Sequence, residues 1–241
     1  SPHIYLSDEV PVRKINMWTS TSGRMLTPDN PEIKVEVSIA PENATYKDVH
    51  FMAVSAEGIK SDAVTVERCS DGVSSIIKAK SDGDFRLVAF SNNGKTHPDV
   101  LSELEYSVTG FGEGVLDPYD YVYGCRLSES KGKAELGFRG SVRTEDGGSV
   151  TFCRVDFGDR GTEDLSVGIF TFRDEEYLEI WDGHPDRGGE KLYSGYYRVP
   201  TDYNVIQEDI FHLSKRLTGL HEITISFEHG VVFGGFRSTG K

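Results

Sequence analysis

Cysteine is scarce: Cys69, Cys125 and Cys153 are the only three in 241 residues. They allow at most one internal disulfide and leave one thiol over. The chain is therefore no disulfide scaffold, and all three read as free thiols. Basic residues are outnumbered, 26 against 39 acidic, for a formal net charge of -13. A protein that grips nucleic acid needs Lys and Arg to displace counterions, and an anionic membrane surface attracts the same groups. Neither nucleic acid nor a membrane is expected as a partner, and strongly anionic polysaccharides are disfavoured. No apolar run approaches the roughly 20 residues of a transmembrane helix, and the first residues do not read as a signal peptide. The Ser-Pro start, without Met, is expected to mark a cut fragment. Location in the cell stays open; free thiols lean cytoplasmic, against export or the cell surface.

Catalytic signatures are missing too. None of the seven histidines, His3, His50, His97, His184, His212, His221 and His229, falls in a zinc-ligand spacing. There is no nucleophile elbow, and the glycines at Gly158 and Gly161 lack the strand-to-helix setting of a phosphate loop. Asp156-Phe-Gly158 imitates a kinase signature without its companion loops. The carboxylate runs Glu163-Asp164, Asp174-Glu175-Glu176 and Glu208-Asp209 nominate no facing pair and read as solvated surface. No enzyme activity and no cofactor are expected of this chain. A structural calcium held by loop carboxylates remains an alternative, although no EF-hand spacing supports it.

What is present is strand pattern. The length suits one or two domains and could bury about 70% of the unfolded surface. Ile33, Val35, Val37 and Ile39 alternate with Lys34, Glu36 and Ser38, a half-buried strand over 32–40. Pro41 to Ala44 reads as a turn, and strands follow at 49–54, 63–66 and 73–79. Ser81-Asp82-Gly83-Asp84 reads as a hairpin turn into Phe85, Leu87 and Ala89, and Leu104, Tyr106 and Val108 alternate before Gly110. Helix signals are almost absent. Short strands punctuated by Gly, Asp and Asn predict an all-β sandwich, immunoglobulin-like, over 10–111, with 1–9 a linker from an upstream domain.

Phe111-Gly112-Glu113-Gly114 is a plausible hinge. Beyond it, strands are predicted at 121–127, 149–157, 165–170, 176–181, 221–227 and 231–236. Val205 to Leu217 invites a helix, but Gly219 and the strand behind it argue for strand, turn, strand. The fold class is thus two β-sandwiches in tandem, the second a jelly roll over 117–238.

Aromatic residues supply the candidate binding site. In the strand ending at Trp181, Leu178 and Ile180 share one phase, while Tyr177, Glu179 and Trp181 share the other. A tryptophan on the solvent-side phase can stack on the apolar face of a sugar ring; the alternative is packing under a loop or against the first domain. The loop-like stretch with Tyr193, Tyr196, Tyr197, Arg198, Tyr203 and Asn204 offers rings and donors for vicinal hydroxyls, with packing as its alternative. Tyr119, Tyr121 and Tyr123 share a strand face and read as an interdomain or sheet-covering stripe.

These segments also carry a resemblance. Val10 to Ile15, Pro41 to Thr45, Asp82 to Arg86 and Ser91 to Gly94 resemble the bacterial immunoglobulin-like modules found late in glycoside hydrolase family 2 enzymes, especially β-galactosidases. Val155 to Gly158, Glu179 to Gly183, Leu220 to Phe227 and Gly235-Phe236 resemble a family 6-type carbohydrate-binding module of the galactose-binding-like jelly-roll class. The resemblance implies a non-catalytic accessory region of a β-galactosidase-type hydrolase. Its expected partners are an upstream catalytic barrel of the same polypeptide and a galactose-containing oligo- or polysaccharide. A purely structural spacer without sugar binding is the alternative. Such modules often hold calcium with carboxylates on the first and last strands. Here Tyr123 to Leu127 and Phe233 to Phe236 carry none.

Overall fold

The computed structural model describes residues 8–20, 23–199, 202 and 205–239. The chain divides into two compact units, Ser1–Gly114 and Val115–Lys241, so the boundary falls at the end of the expected hinge. Both are all-β. The only helical elements among the described residues are three short 3-10 turns, Gly124–Arg126, Phe138–Gly140 and Pro185–Arg187. No helix is long and apolar enough to cross a membrane.

The first unit contains β1 (Lys14–Thr19), β2 (Met25–Leu26), β3 (Glu32–Ala40), β4 (His50–Val54), β5 (Val64–Arg68), β6 (Ser75–Ala79), β7 (Gly83–Ser91) and β8 (Val100–Val108). One sheet runs β1-β3-β6-β5 and the other β2-β8-β7-β4. The alternation in β3 is realised: Ile33, Val35 and Val37 are buried, Lys34 and Ser38 exposed. Phe85, Leu87 and Ala89 of β7 are buried by the same period of two, and with Ile77 they build the core. One expectation fails. Ser81 to Asp84 is no hairpin turn, because β6 and β7 belong to different sheets. The amides of Lys80 and Ser81 bond to the Ala63 carbonyl and that of Asp82 to Gly112, which carries the chain across from sheet to sheet.

The second unit contains β9 (Val122–Tyr123), β10 (Glu129–Lys131), β11 (Ala134–Leu136), β12 (Val142–Thr144), β13 (Ser149–Asp156), β14 (Thr162–Phe170), β15 (Glu176–Asp182), β16 (Glu190–Tyr197), β17 (Gln207–Leu217), β18 (Leu220–Phe227) and β19 (Val232–Ser238). A sheet ordered β10-β13-β18-β15-β16 packs on one ordered β11-β12-β19-β14-β17, with β9 added to β19. Between them lie Phe152, Phe233 and Phe236, with Leu178, Ile180, Ile223 and Ile225. Fully burying one such side chain is worth about 1.5–3 kcal/mol. The invitation to a helix at Val205 to Leu217 is declined by period two: Phe211, Leu213 and Leu217 point in, and Ile210 points out. The strand expected over 121–127 stops at Tyr123. Gly124 lies so close to β19 that a Cβ there would stand 2.6 Å from the Phe233 carbonyl oxygen, and the chain turns into a 3-10 segment. Gly235 sits at φ +144°, and a Cβ there would stand 2.2 Å from the Val122 carbonyl oxygen, so this close pairing of β9 with β19 needs glycine.

None of the three cysteines is in a disulfide, and all are half-buried. Tyr121 and Tyr123 meet edge to face at 4.9 Å, and Tyr119 donates its hydroxyl to the Phe157 carbonyl at 2.8 Å.

Candidate functional site

The stretch expected to be loop-like from Tyr193 to Tyr197 is strand β16, the edge partner of β15. Its register decides where the tyrosines go. Glu176 pairs with Tyr197, Tyr177 with Tyr196, Leu178 with Gly195, and Ile180 with Tyr193. Tyr193 and Tyr197 therefore share the inward phase of Leu178 and Ile180, while Tyr196 shares the outward phase of Tyr177. Tyr193 packs on Phe211 at 4.9 Å between ring centroids. Tyr197 is 2% exposed and donates its hydroxyl to the carbonyls of Gln207 (2.7 Å) and Ile169 (3.2 Å). Burial, with a contribution from Asp209, pushes its phenol up to about 12. Tyr197 is therefore a core residue, while Tyr193 packs against the core and stays partly exposed. Tyr203 and Asn204 lie outside the described residues.

Trp181 is on the outward phase, as the pattern predicts, but its surroundings are filled. A bulge after Ile180 pairs Trp181 with Lys191, whose ammonium stands 5.1 Å from the centre of the indole. Glu179 accepts from the indole Nε1 (3.1 Å), from Lys191 Nζ (2.7 Å) and from the Tyr177 hydroxyl (3.1 Å). Burial would raise the Glu179 carboxyl, but these three donors outweigh it and hold it below the ordinary value.

Tyr177 and Tyr196 sit together at one end of β15 and β16; Tyr119 and Phe138 are exposed elsewhere in the unit. Tyr177 and Tyr196 meet edge to face at 5.4 Å, and Tyr196 keeps 42% of its surface exposed. Arg198 stands 4.9 Å from the Tyr196 ring centre, held by Glu175 through its Nε at 3.0 Å. The β14–β15 loop contributes Phe172, 85% exposed, then Arg173, Asp174 and Glu175; the β18–β19 turn contributes Glu228 and His229. Together they line a groove of about 470 Å³, within the size range of small-ligand sites. The groove joins apolar ring surface to a guanidinium donor and carboxylate acceptors. Of the run Asp174-Glu175-Glu176, only the first two meet solvent; Glu176 is buried beneath the turn. Of the groove's lining only Tyr196 was a candidate in the sequence; Asp174 and Glu175 read there as solvated surface, and Phe172, Arg173, Tyr177, Glu228 and His229 were not named as ligand contacts. An isolated aromatic running into Arg173-Asp174-Glu175 was the available signal. Among the described residues, no group of three or more His, Cys, Asp or Glu is placed to hold a metal ion.

No family model matches the chain, and no curated protein matches it. Among solved structures it is similar to a family 6 carbohydrate-binding module from Clostridium stercorarium in complex with cellobiose, at 18% identity over 53% of this chain and 98% of that one, with a TM-score of 0.46. It is similar to a family 6 module from Clostridium cellulolyticum in complex with xylose, at 19% identity over 52% and 100%, TM-score 0.44. It is also similar to a glycoside hydrolase family 43 arabinoxylan arabinofuranohydrolase from Bacillus subtilis, at 15% identity over 97% of this chain and 54% of that one, TM-score 0.41. Likeness at this level leaves function to the chemistry of the groove.

Proposed function

We propose that the second unit binds carbohydrate in the groove between the β14–β15 loop and the β18–β19 turn. The observation that carries this reading is the Tyr177–Tyr196 pair, with exposed Phe172 at the rim, set among charged donors and acceptors. Rings take the C–H face of a pyranose, and the guanidinium and carboxylates take its hydroxyls. Tyr196→Ala removes an exposed ring, so it should weaken glycan binding roughly three- to tenfold while leaving the melting temperature unchanged. Titration calorimetry with galacto- and xylo-oligosaccharides measures the first and calorimetric melting the second. Undiminished binding by the variant would move the site elsewhere.

The finer reading rests on the sequence motifs. The chain is a non-catalytic accessory region of a β-galactosidase-type glycoside hydrolase, with an immunoglobulin-like first unit as spacer and a family 6-like module behind it. It should then turn over no aryl-galactoside. Turnover abolished by replacing Asp174 or Glu228 would overturn that reading and make the groove an active site.

A further inference from the structure

Glu176 opens β15 on its inward phase, where a strand ordinarily places an apolar residue. Its side chain is 0% exposed. A carboxylate so buried needs hydrogen-bond partners, and it has two, both from one residue. Oε1 accepts the backbone amide of His229 at 2.7 Å, and Oε2 lies 3.2 Å from His229 Nδ1. The turn is pinned on either side as well: the Glu228 amide bonds to the Tyr177 carbonyl at 3.1 Å and the Gly230 amide to Asp146 Oδ1 at 2.8 Å. The His229 backbone and ring are thus held while the ring forms a wall of the groove. Its Nε2, across the ring from Nδ1, has no hydrogen-bond partner among the described residues.

We infer that Glu176 is a positioning residue that fixes the tautomer of His229, and that His229 Nε2 is a specificity-setting acceptor for a sugar hydroxyl. This rests on the reading of the groove as a sugar site. A neutral imidazole has one donor and one acceptor nitrogen. A carboxylate can only accept, so Nδ1 carries the proton and Nε2 presents its lone pair, the same logic by which a carboxylate orients a metal-binding histidine. Asp174 and Glu228 add acceptors around it, with Arg173 as the groove's cation and Glu175 occupied by Arg198. Such a wall takes donors. It selects a neutral sugar with free hydroxyls and rejects a uronate, whose carboxylate would face carboxylates and a lone pair.

The ring nitrogens of His229 can be read by long-range proton–nitrogen NMR on the whole chain at about pH 8, where an ordinary imidazole is neutral. The expected signature is protonated Nδ1 and bare Nε2. Glu176→Gln, which can itself donate, should populate the opposite tautomer. It should also weaken binding of lactose or xylobiose by about tenfold, the loss of one hydrogen bond. The double variant Glu176→Leu/His229→Phe keeps a ring at the half-exposed turn position without stranding a buried carboxylate, and should lose as much. Galacturonate should bind the wild type at least tenfold more weakly than lactose, again roughly one such bond's worth. A wild-type ring protonated at Nε2 overturns the inference. If sugars move the Tyr177 and Tyr196 signals but both variants bind as wild type, only this inference falls. If no sugar moves them, the sugar-site reading falls with it.

Discussion

In the first unit the sheets meet through branched and small side chains such as Ile33, Val35, Ile77 and Leu87, and Phe85 and Tyr106 are the only buried rings of Phe, Tyr or Trp among its described residues. In the second, Phe152, Phe157, Phe211, Phe227, Phe233 and Phe236 all lie in one core. The outward faces differ in how their rings are grouped. The first unit exposes Met52 on β4, Leu101 on β8 and the ring of Trp18 on β1; the second exposes aliphatics too, Ile210 and Leu220, but it sets Tyr196 and Phe172 together beside charged side chains. Aliphatic surface can be covered but has no ring face to offer a sugar; rings flanked by charge can discriminate among hydroxylated ligands. The same two-residue period therefore builds both units, and what each can recognise depends on which side chains occupy the outward phase.

The largest test of this contrast is in the cores. Phe152→Ala removes a ring packed edge-on to Phe236 at 5.2 Å and should destabilise the second unit by about 3–5 kcal/mol; Leu87→Ala should cost the first about 2–5 kcal/mol. Scanning calorimetry should show each variant lowering one transition and sparing the other. A joint shift would mean that the units do not unfold independently. Next in size, Gly235→Ala should destabilise only the second unit, by at least about 1–3 kcal/mol, because it adds a side chain at positive φ against the Val122 carbonyl. Urea midpoints would measure it. The smallest effect concerns acid. The Glu179 carboxyl lies below its ordinary value when folded. Its bonds to Lys191, Tyr177 and Trp181 therefore add stability above the unfolded carboxyl value of about 4.3, and that share is lost as pH falls through the folded value. Glu179→Gln should lower stability at neutral pH and flatten this part of the acid limb; an identical pH profile would show that the cluster contributes nothing.

Much of the fold was legible because alternation is a local signal. Residues 32–40 and 221–227 announced their inward faces, and the refusal of a helix at Val205 to Leu217 followed from the turn at Gly219. Sheet membership was not legible. Nothing in Ser81 to Asp84 says whether the chain folds back or crosses, since that depends on acceptors at Ala63 and Gly112. The candidate site was half legible. Trp181 fell on the expected phase, but Lys191 reaches it only through a bulge, and bulges leave little trace in a single sequence. Reading Tyr193 to Tyr197 as loop-like, with some rings in the core, left out the register that sorts them: 193 and 197 inward, 196 outward.

The hydroxyl of Tyr197 belongs to a strand of one sheet and rests on carbonyls of two strands of the other. It acts as a rivet between the layers, one residue from the most exposed ring of β16. Tyr196 is consequently mounted on backbone that has already surrendered its freedom, and a ligand that lands there meets a platform with little left to freeze.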